Sequence, residues 1–294
     1  MLPKWQEGPL PRRAAKGCLL KIGLSTFPTD YSMPPAALAL AAEERGFESV
    51  FFPDHTHVPV KLTSAFPDGG EVPIAYKHGI DPLVAMAAAA AVTSRIRLGT
   101  GVCLVVQRDP IILAKQVASI DHCSNGRVEL GVGAGWSAEE MANHGTDFST
   151  RWTLLRERVE AMREIWTKDE AEYSGSLVSF GPIWCWPKPK QRPAPPVLIG
   201  GSGPKTLERV VRYGDGWIPP LAWVGDLAER IATLRRLAAE AGRGPLPVTV
   251  MGVKGRPELI RELEGIGVSR VVISLPAAGP DEILPRLDHY ARLL

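Results

Sequence analysis

The sequence lacks the cysteine pattern of a zinc-binding or disulfide-bonded protein. Its 294 residues contain four cysteines, Cys18, Cys103, Cys123 and Cys185, which are widely separated along the chain. No two of them form a C-x-x-C pair, and none has a histidine at the spacing of zinc ligands. We therefore expect free thiols in a reducing, cytoplasmic compartment, and no metal site.

Long apolar runs and a strong excess of one charge are also missing. The alanine-rich run Ala85–Val92 is much shorter than the roughly 18 residues of a membrane span. Residues 1–17 are basic but contain three prolines and no apolar core of a signal peptide, so we expect an irregular N-terminal extension over residues 1–20. A net charge of +2 gives no reason to expect nucleic acid or an acidic membrane as a partner.

Strand-like and helix-like segments alternate along the rest of the chain. The predicted helices often begin at a proline, as in Pro34–Arg45 and Pro110–Asn125. The predicted strands are Lys21–Ser25, Ser49–Phe52, Ile96–Val102, Val128–Val132, Val197–Ile199, Gly216–Ile218, Pro247–Val253 and Arg270–Leu275. Eight β/α units in regular order predict the α/β class and a single (β/α)8 TIM barrel over residues 21–294. A doubly wound sheet is the alternative, but the absence of a midpoint or linker favours closure.

Two long segments interrupt this alternation. His55–Asp81 follows the second strand, and Lys168–Pro196, rich in proline and tryptophan, follows the fourth helix. Loops of this length in a compact domain are usually functional, for example as lids or walls of a site. Because barrel active sites lie at the C-terminal ends of the strands, the first insertion is the stronger candidate.

Candidate acid–base and phosphate-binding residues follow the predicted strands. Asp54 and His55 follow the second strand, and histidine titrates near neutral pH, so the pair is a candidate for proton transfer, although a structural histidine fits this position equally well. Gly200–Gly203 leads into a helix predicted to begin at Pro204, where free amides could bind phosphate and Lys205 adds a charge. Glycines also form tight turns, but the position at a late barrel strand favours phosphate.

Other residues at the strand ends leave alternatives open. Trp136 and Trp217 could form the wall of a site for a planar ring, although large aromatic side chains more often belong to the core. Lys254, after the seventh strand, could form a Schiff base in an aldolase-type barrel, which requires burial of its amine. His57 is a weaker candidate for proton transfer.

Taken together, six motifs along the chain resemble the luciferase-like monooxygenase superfamily. These motifs are Phe51–His55, Leu98–Val102, Asp121–Arg127, Gly131–Trp136, Gly200–Gly203 and Gly214–Trp217. Within that superfamily, the chain is most similar to the actinobacterial deazaflavin-dependent oxidoreductases. The resemblance implies hydride transfer between coenzyme F420 and an unidentified small organic substrate, and we expect a homodimer. The alternatives are an FMN-dependent monooxygenase that uses molecular oxygen and a cofactor-binding protein without turnover.

The resemblance also implies roles for individual residues. His55 matches the histidine beside the cofactor ring, with Asp54 next to it. Gly101 and Val102 match a bulge, often a non-proline cis peptide, that supports the ring. The loops that hold the ribityl chain and the phosphate correspond to Gly133, Ala134, Gly135 and Trp136, and to Gly200, Gly201, Ser202 and Gly203. Relatives that oxidise sugar phosphates have a glutamate in place of Trp136, which argues against that substrate.

Overall fold

A computed structural model describes residues 20–294, so the predicted N-terminal extension lies outside the described residues except for Leu20. The strands in this range are β1 (Lys21–Ser25), β2 (Ser49–Phe52), β3 (Arg97–Thr100), β4 (Cys103–Leu104), β5 (Val128–Gly133), β6 (Glu170–Ser174), β7 (Ser179–Trp184), β8 (Val197–Gly200), β9 (Gly216–Ile218), β10 (Thr249–Val253) and β11 (Arg270–Ser274). The α-helices are α1 (Pro35–Glu44), α2 (Ile74–Lys77), α3 (Pro82–Val92), α4 (Pro110–Cys123), α5 (Ala138–Asn143), α6 (Arg151–Thr167), α7 (Thr206–Tyr213), α8 (Leu227–Glu240), α9 (Pro257–Gly265) and α10 (Pro280–Tyr290).

Eight parallel strands form a barrel in the order β10, β11, β1, β2, β3, β5, β8, β9. Strands β9 and β10 meet through two backbone hydrogen bonds, from Trp217 to the Pro247 carbonyl and from Met251 to the Pro219 carbonyl, each 2.9 Å long. The predicted (β/α)8 barrel is therefore confirmed, and the doubly wound sheet is wrong. The third predicted strand, Ile96–Val102, is shorter than expected, because β3 ends at Thr100 and a separate short strand, β4, pairs with β5.

The strands are apolar because both of their faces are covered. Every residue of β2 and of β5 is buried, since side chains fill the inside of the barrel and helices cover its outside. The helices begin where the sequence indicates. Asp81 and Asp109 accept hydrogen bonds from the first backbone amides of α3 and α4, each of which has a proline at its first position.

Buried charges close the N-terminal end of the barrel. Arg270, the first residue of β11, donates to both carboxylate oxygens of Glu129, at 2.7 and 2.9 Å. Burial opposes ionisation of Glu129, but hydrogen bonds and charge from Arg270 and Arg97 outweigh it and lower the pKa of Glu129 to about 2. The network lies at the opposite end from the strand C-termini, and we interpret it as structural.

The two insertions lie at opposite ends of the barrel. The first contains the short helix α2 and lies at the C-terminal end, as the connection from β2 requires. The second is more regular than the expected loop, because β6 and β7 form an antiparallel hairpin with Glu170 opposite Trp184. It precedes β8 and therefore lies at the N-terminal end, away from the cavity described below.

The length and hydropathy of the helices can be compared with what a membrane-spanning helix requires. None of the helices in residues 20–294 combines the length and the apolar character needed to cross a bilayer. The cytoplasmic location and the homodimer stay predictions.

Candidate active site

A cavity of about 280 Å³ opens at the C-terminal ends of the barrel strands. It is lined by all of the predicted site residues except Ser202 and Gly203, which directly follow lining residue Gly201. The other lining residues are Phe27, Pro67, Tyr76, Trp152, Ile218, Trp223 and Met251, with Pro53, Leu104 and Pro220. Its walls are therefore largely aromatic and apolar, with His55 among the few polar side chains.

His55 is held by Glu140, a residue that sequence reasoning did not select. The ring nitrogen Nδ1 of His55 lies 2.8 Å from Oε2 of Glu140, and the backbone amide of Thr56 donates to Oε1 at 3.1 Å. Glu140 is 1% exposed. Burial opposes ionisation of this carboxyl, but its hydrogen bonds from His55 and Thr56 outweigh burial and hold the pKa of Glu140 below its ordinary value. An ionised carboxylate only accepts, so His55 donates through Nδ1, which leaves Nε2 as its second functional atom.

Glu140 is positioned by the short helix α5. The side chain of Ser137 accepts a hydrogen bond from the Glu140 amide at 3.1 Å and caps this helix. The preceding residue, Glu139, accepts from the Thr63 and Ser64 amides at 2.8 and 3.0 Å. Helix α5 therefore holds the first insertion at two points. The pattern Ser137-x-x-Glu140 is a capping-box signature, so the sequence did contain a signal for this helix.

Asp54 is directed away from His55. Its carboxylate accepts hydrogen bonds from Arg108 at 2.7 and 2.9 Å and from the Leu104 amide at 2.9 Å. Arg108 also pairs with Asp81 at the end of the first insertion. No hydrogen bond joins Asp54 to His55 in the part of the chain that the structure describes. The structure therefore brings the two residues to one cavity but does not pair them, and Asp54 as a proton-transfer group stays a prediction.

Val102 forms part of the cavity floor, and glycines surround it. The Gly101–Val102 peptide bond is cis, as predicted. A Cβ atom on Gly133 would lie 2.6 Å from Val102 Cγ2, and one on Gly200 would lie 3.0 Å from Val102 Cγ1. A Cβ atom on Gly101 would lie 2.6 Å from Met251 Cε. Gly133 and Gly200 are thus required by close packing against Val102, whereas the flexible end of Met251 could move away from a Cβ atom at Gly101.

The glycine loop after β8 has the features of an anion site. Gly201 has φ +96°. A Cβ atom placed there would have one neighbour within 4 Å among residues 20–294, the Thr206 hydroxyl at 3.7 Å. That hydroxyl is buried and has no hydrogen-bond partner among the described residues. Arg230 of α8 donates to the carbonyls of Ser202 and Gly203, at 2.8 and 3.2 Å, and so holds the backbone of the loop in place. Helix α7 begins at Thr206 rather than at the predicted Pro204, because residues 203–206 form a turn.

An aromatic group covers the side of the cavity near His55. The ring centroid of Tyr76 lies 4.8 Å from that of His55 and 4.4 Å from that of Phe27. Phe66 packs edge-on against Tyr76 and Trp136, at 5.4 and 5.5 Å. Both Phe66 and Tyr76 come from the first insertion, which therefore supplies a wall of the site.

A hydrogen bond ties this wall to the opposite side of the barrel. The indole nitrogen of Trp223, in the loop after β9, donates to Asp68 of the first insertion. The loops after β2 and β9 therefore meet over the cavity.

Three further candidates lie outside the cavity. Trp217 is completely buried in the core, where its indole nitrogen donates to the Gly201 carbonyl at 2.9 Å. His57 lies 2.9 Å from the Thr56 hydroxyl and does not line the cavity. Lys254 is exposed, whereas a Schiff-base lysine needs a buried amine, so the aldolase-type alternative is wrong.

Sequence comparison finds relatives along nearly the whole chain. A family model of luciferase-like monooxygenases matches residues 34–254. An uncharacterized protein of Mycobacterium tuberculosis is 43% identical over 277 residues, which cover 92% of this chain and 98% of the relative. An F420-dependent glucose-6-phosphate dehydrogenase of Amycolatopsis mediterranei is 34% identical over 184 residues, which cover 61% of this chain and 51% of that enzyme.

Solved structures share the fold at lower identity. The coenzyme F420-dependent tetrahydromethanopterin reductase from Methanopyrus kandleri superposes with a TM-score of 0.75 and 19% identity, covering 94% of this chain and 98% of the other. A monooxygenase from Streptomyces bottropensis gives a TM-score of 0.74 and 22% identity over the same shares. The family model matches most of the chain, and the barrel and the motifs of this chain agree with that match. The chain therefore belongs to the luciferase-like monooxygenase family and is an oxidoreductase of that class.

Proposed function

We propose that the protein transfers a hydride between coenzyme F420 and a small organic substrate. The observation that carries this proposal is one cavity in which a glycine-packed floor, a glycine-rich loop before α7 and a histidine oriented by a carboxylate come together. F420 rather than FMN is favoured because the relative from Amycolatopsis mediterranei is named as F420-dependent.

The residues present fit a cofactor with a planar ring and a phosphate. Gly133 and Gly200 line the cavity beside Val102 without side chains of their own, so a flat ring could lie on this floor. Gly200, Gly201 and Gly203 have no Cβ atoms to obstruct a phosphate, and the buried Thr206 hydroxyl below the loop lacks a partner among residues 20–294. Backbone amides at the beginning of a helix favour an anion. We therefore assign the ring to the floor and the phosphate to this loop.

The bound deazaflavin would supply the hydride chemistry, and the protein would handle the proton. A substrate that loses a hydride also loses a proton, which His55 is placed to accept at Nε2 because Glu140 occupies Nδ1. Burial raises the pKa of Tyr76 to about 12, with a smaller contribution from Asp68, so its hydroxyl remains a donor at neutral pH. Tyr76 and His55 would then hold the same substrate oxygen. Asp54 would act through position only, by fixing Arg108 and the strand end.

The walls favour an apolar substrate. Phe27, Tyr76 and Trp136 lie beside His55. Trp223 and Met251 line the same cavity, and no arginine or lysine among residues 20–294 does so. A phosphorylated sugar would leave its charge unpaired there, which costs free energy. This agrees with the absence of the glutamate that Trp136 replaces.

Cofactor titration tests the proposal directly. Purified protein would be titrated with F420 and with FMN, and binding followed by the change in cofactor fluorescence. We expect F420 to bind more tightly, by about tenfold or more, which corresponds to about 1.4 kcal/mol. Tighter binding of FMN would replace the proposal with the oxygen-dependent alternative.

Replacement of Glu140 by glutamine tests how His55 is oriented. We expect Glu140→Gln to lower kcat by roughly 10–100-fold, as is common when a partner of a functional histidine is lost, with little change in the Kd of the cofactor. The nitrogen NMR shifts of His55 should show a loss of the single Nδ1–H tautomer. Glu139→Gln, on the same helix but bonded to Thr63 and Ser64, is the control and should leave that tautomer intact. An unchanged kcat and tautomer in Glu140→Gln would contradict the orienting role.

A further inference from the structure

Two arginines meet at the rim of the cavity, on the side of the glycine loop. Trp152 lines the cavity, and the guanidinium carbon of Arg209 lies 3.8 Å from its ring centroid. The guanidinium carbon of Arg151 lies 5.4 Å from the same ring and 3.6 Å from the ring of Phe148. Helix α6 begins at Arg151 and α7 contains Arg209, so the start of one helix and the side of the next bring two positive charges together.

These two charges have no counter-ion in the part of the chain that the structure describes. Neither Arg151 nor Arg209 forms an ion pair with a carboxylate in residues 20–294, whereas Arg156 and Arg163 of α6 each have one. Arg151 donates to the Phe148 carbonyl at 2.7 Å, and its buried Nε has no partner within the described range, residues 20–294. Burial, and after it the charge of Arg209, lower the pKa of Arg151. Two like charges held together in this way favour binding of an anion.

The charges continue from the proposed phosphate loop. Lys205 precedes α7, is exposed and lies one helical turn before Arg209, so both project from the same side of the helix. The unpartnered Thr206 hydroxyl lies between them in sequence, below the loop. A ligand held at the loop by its phosphate therefore meets Lys205, Arg209 and Arg151 where it leaves the cavity. We refer to these three residues as the rim cluster.

We propose that the rim cluster binds the acidic tail of F420. This proposal rests on the proposed function, because F420 continues beyond its phosphate into a chain of glutamate carboxylates whereas FMN ends at the phosphate. Three cations along the exit from the phosphate loop match a flexible chain of carboxylates better than they match any single small anion. Arginine suits this role because its planar head can stay stacked on Trp152 while its N–H groups bond to a carboxylate.

The tail is tested by comparing cofactors that differ only there. The full-length protein would be titrated by fluorescence with F420 carrying several glutamates and with the precursor that has the phosphate and lactyl group but no glutamate. We expect the tailed form to bind roughly tenfold more tightly at about 20 mM salt, and the preference to shrink strongly at about 300 mM salt, where exposed charges are screened. Equal affinities at low salt would overturn the rim-cluster proposal. If neither deazaflavin binds but FMN does, the proposed function itself fails.

Variants separate tail binding from an effect on the cavity. Arg209→Gln should lower the preference for the tailed form by about threefold or more, and the double variant with Arg151→Gln should nearly abolish it, with the affinity for the tail-less precursor unchanged. Arg209→Lys should retain part of the preference, since it keeps the charge. Arg236→Gln, on the exposed side of α8, is the control and should change neither affinity. Equal weakening of both ligands by Arg209→Gln would show that Arg209 acts through Trp152, and would overturn the proposal.

Discussion

Replacing His55 by alanine is expected to slow turnover by roughly 10²–10⁴-fold while the cofactor still binds. The loss is large because His55 is the lining residue best placed to exchange a proton with a substrate, and Glu140 holds its Nδ1 at 2.8 Å. Cofactor binding should survive because the floor and the glycine loop lie on other strands. Steady-state kinetics and a fluorescence titration on the same preparation would measure both quantities.

His57→Ala is the matched control for His55→Ala. His57 belongs to the same insertion and is partly buried, but its hydrogen bonds go to the Thr56 hydroxyl and to Asn143, outside the cavity. We expect its kcat to stay within about threefold of the parent value. If His55→Ala instead keeps its kcat and loses cofactor affinity, His55 is a binding residue and the proton must be handled elsewhere.

The parts of the site that depend on local backbone were predictable from the sequence. Glycines at Gly133, Gly200 and Gly201 are needed where the chain packs closely or adopts a positive φ, and such needs can be recognised residue by residue. The barrel itself followed from eight repeats of one strand and one helix. Ten of the twelve candidate site residues consequently line the cavity, since strand ends in a parallel barrel share one face.

The partner of His55 was not predictable, because it depends on a contact across 85 residues. Asp54 was the candidate by sequence proximity, yet adjacent residues at the end of a strand project in different directions. Asp54 consequently bonds to Arg108, and Glu140 arrives from a helix whose orientation depends on the whole barrel. The capping-box pattern that begins at Ser137 indicated where that helix starts, but it did not indicate the direction in which the Glu140 side chain points.

The aromatic wall was missed for a related reason. Phe66 and Tyr76 lie in an insertion without regular hydrophobic periodicity, so no local pattern indicates which of its side chains face inward. Their positions follow from contacts made elsewhere, namely Glu139 with Thr63 and Ser64, and Trp223 with Asp68. Length alone marked the insertion as functional.

Replacing Gly201 by valine is expected to weaken cofactor binding by roughly 100-fold or more, which corresponds to about 3 kcal/mol. Gly201 has φ +96°, a conformation that a β-branched residue reaches only with strain. The new side chain would also fill the space beside the Thr206 hydroxyl that we assign to the phosphate. Fluorescence titration with F420 would measure the loss.

Gly242→Val separates the two causes of that loss. Gly242 follows α8 and has φ +69°, and no atom of residues 20–294 lies within 4 Å of a Cβ placed there, so valine brings a similar backbone strain far from the cavity. Both variants should lose similar thermal stability, but only Gly201→Val should lose the cofactor. Undiminished affinity in a folded Gly201→Val protein would remove the phosphate from this loop. Because His55→Ala should lose turnover and keep binding, and Gly201→Val should lose binding first, the two variants together test whether the glycine loop binds the cofactor independently of the proton transfer at His55.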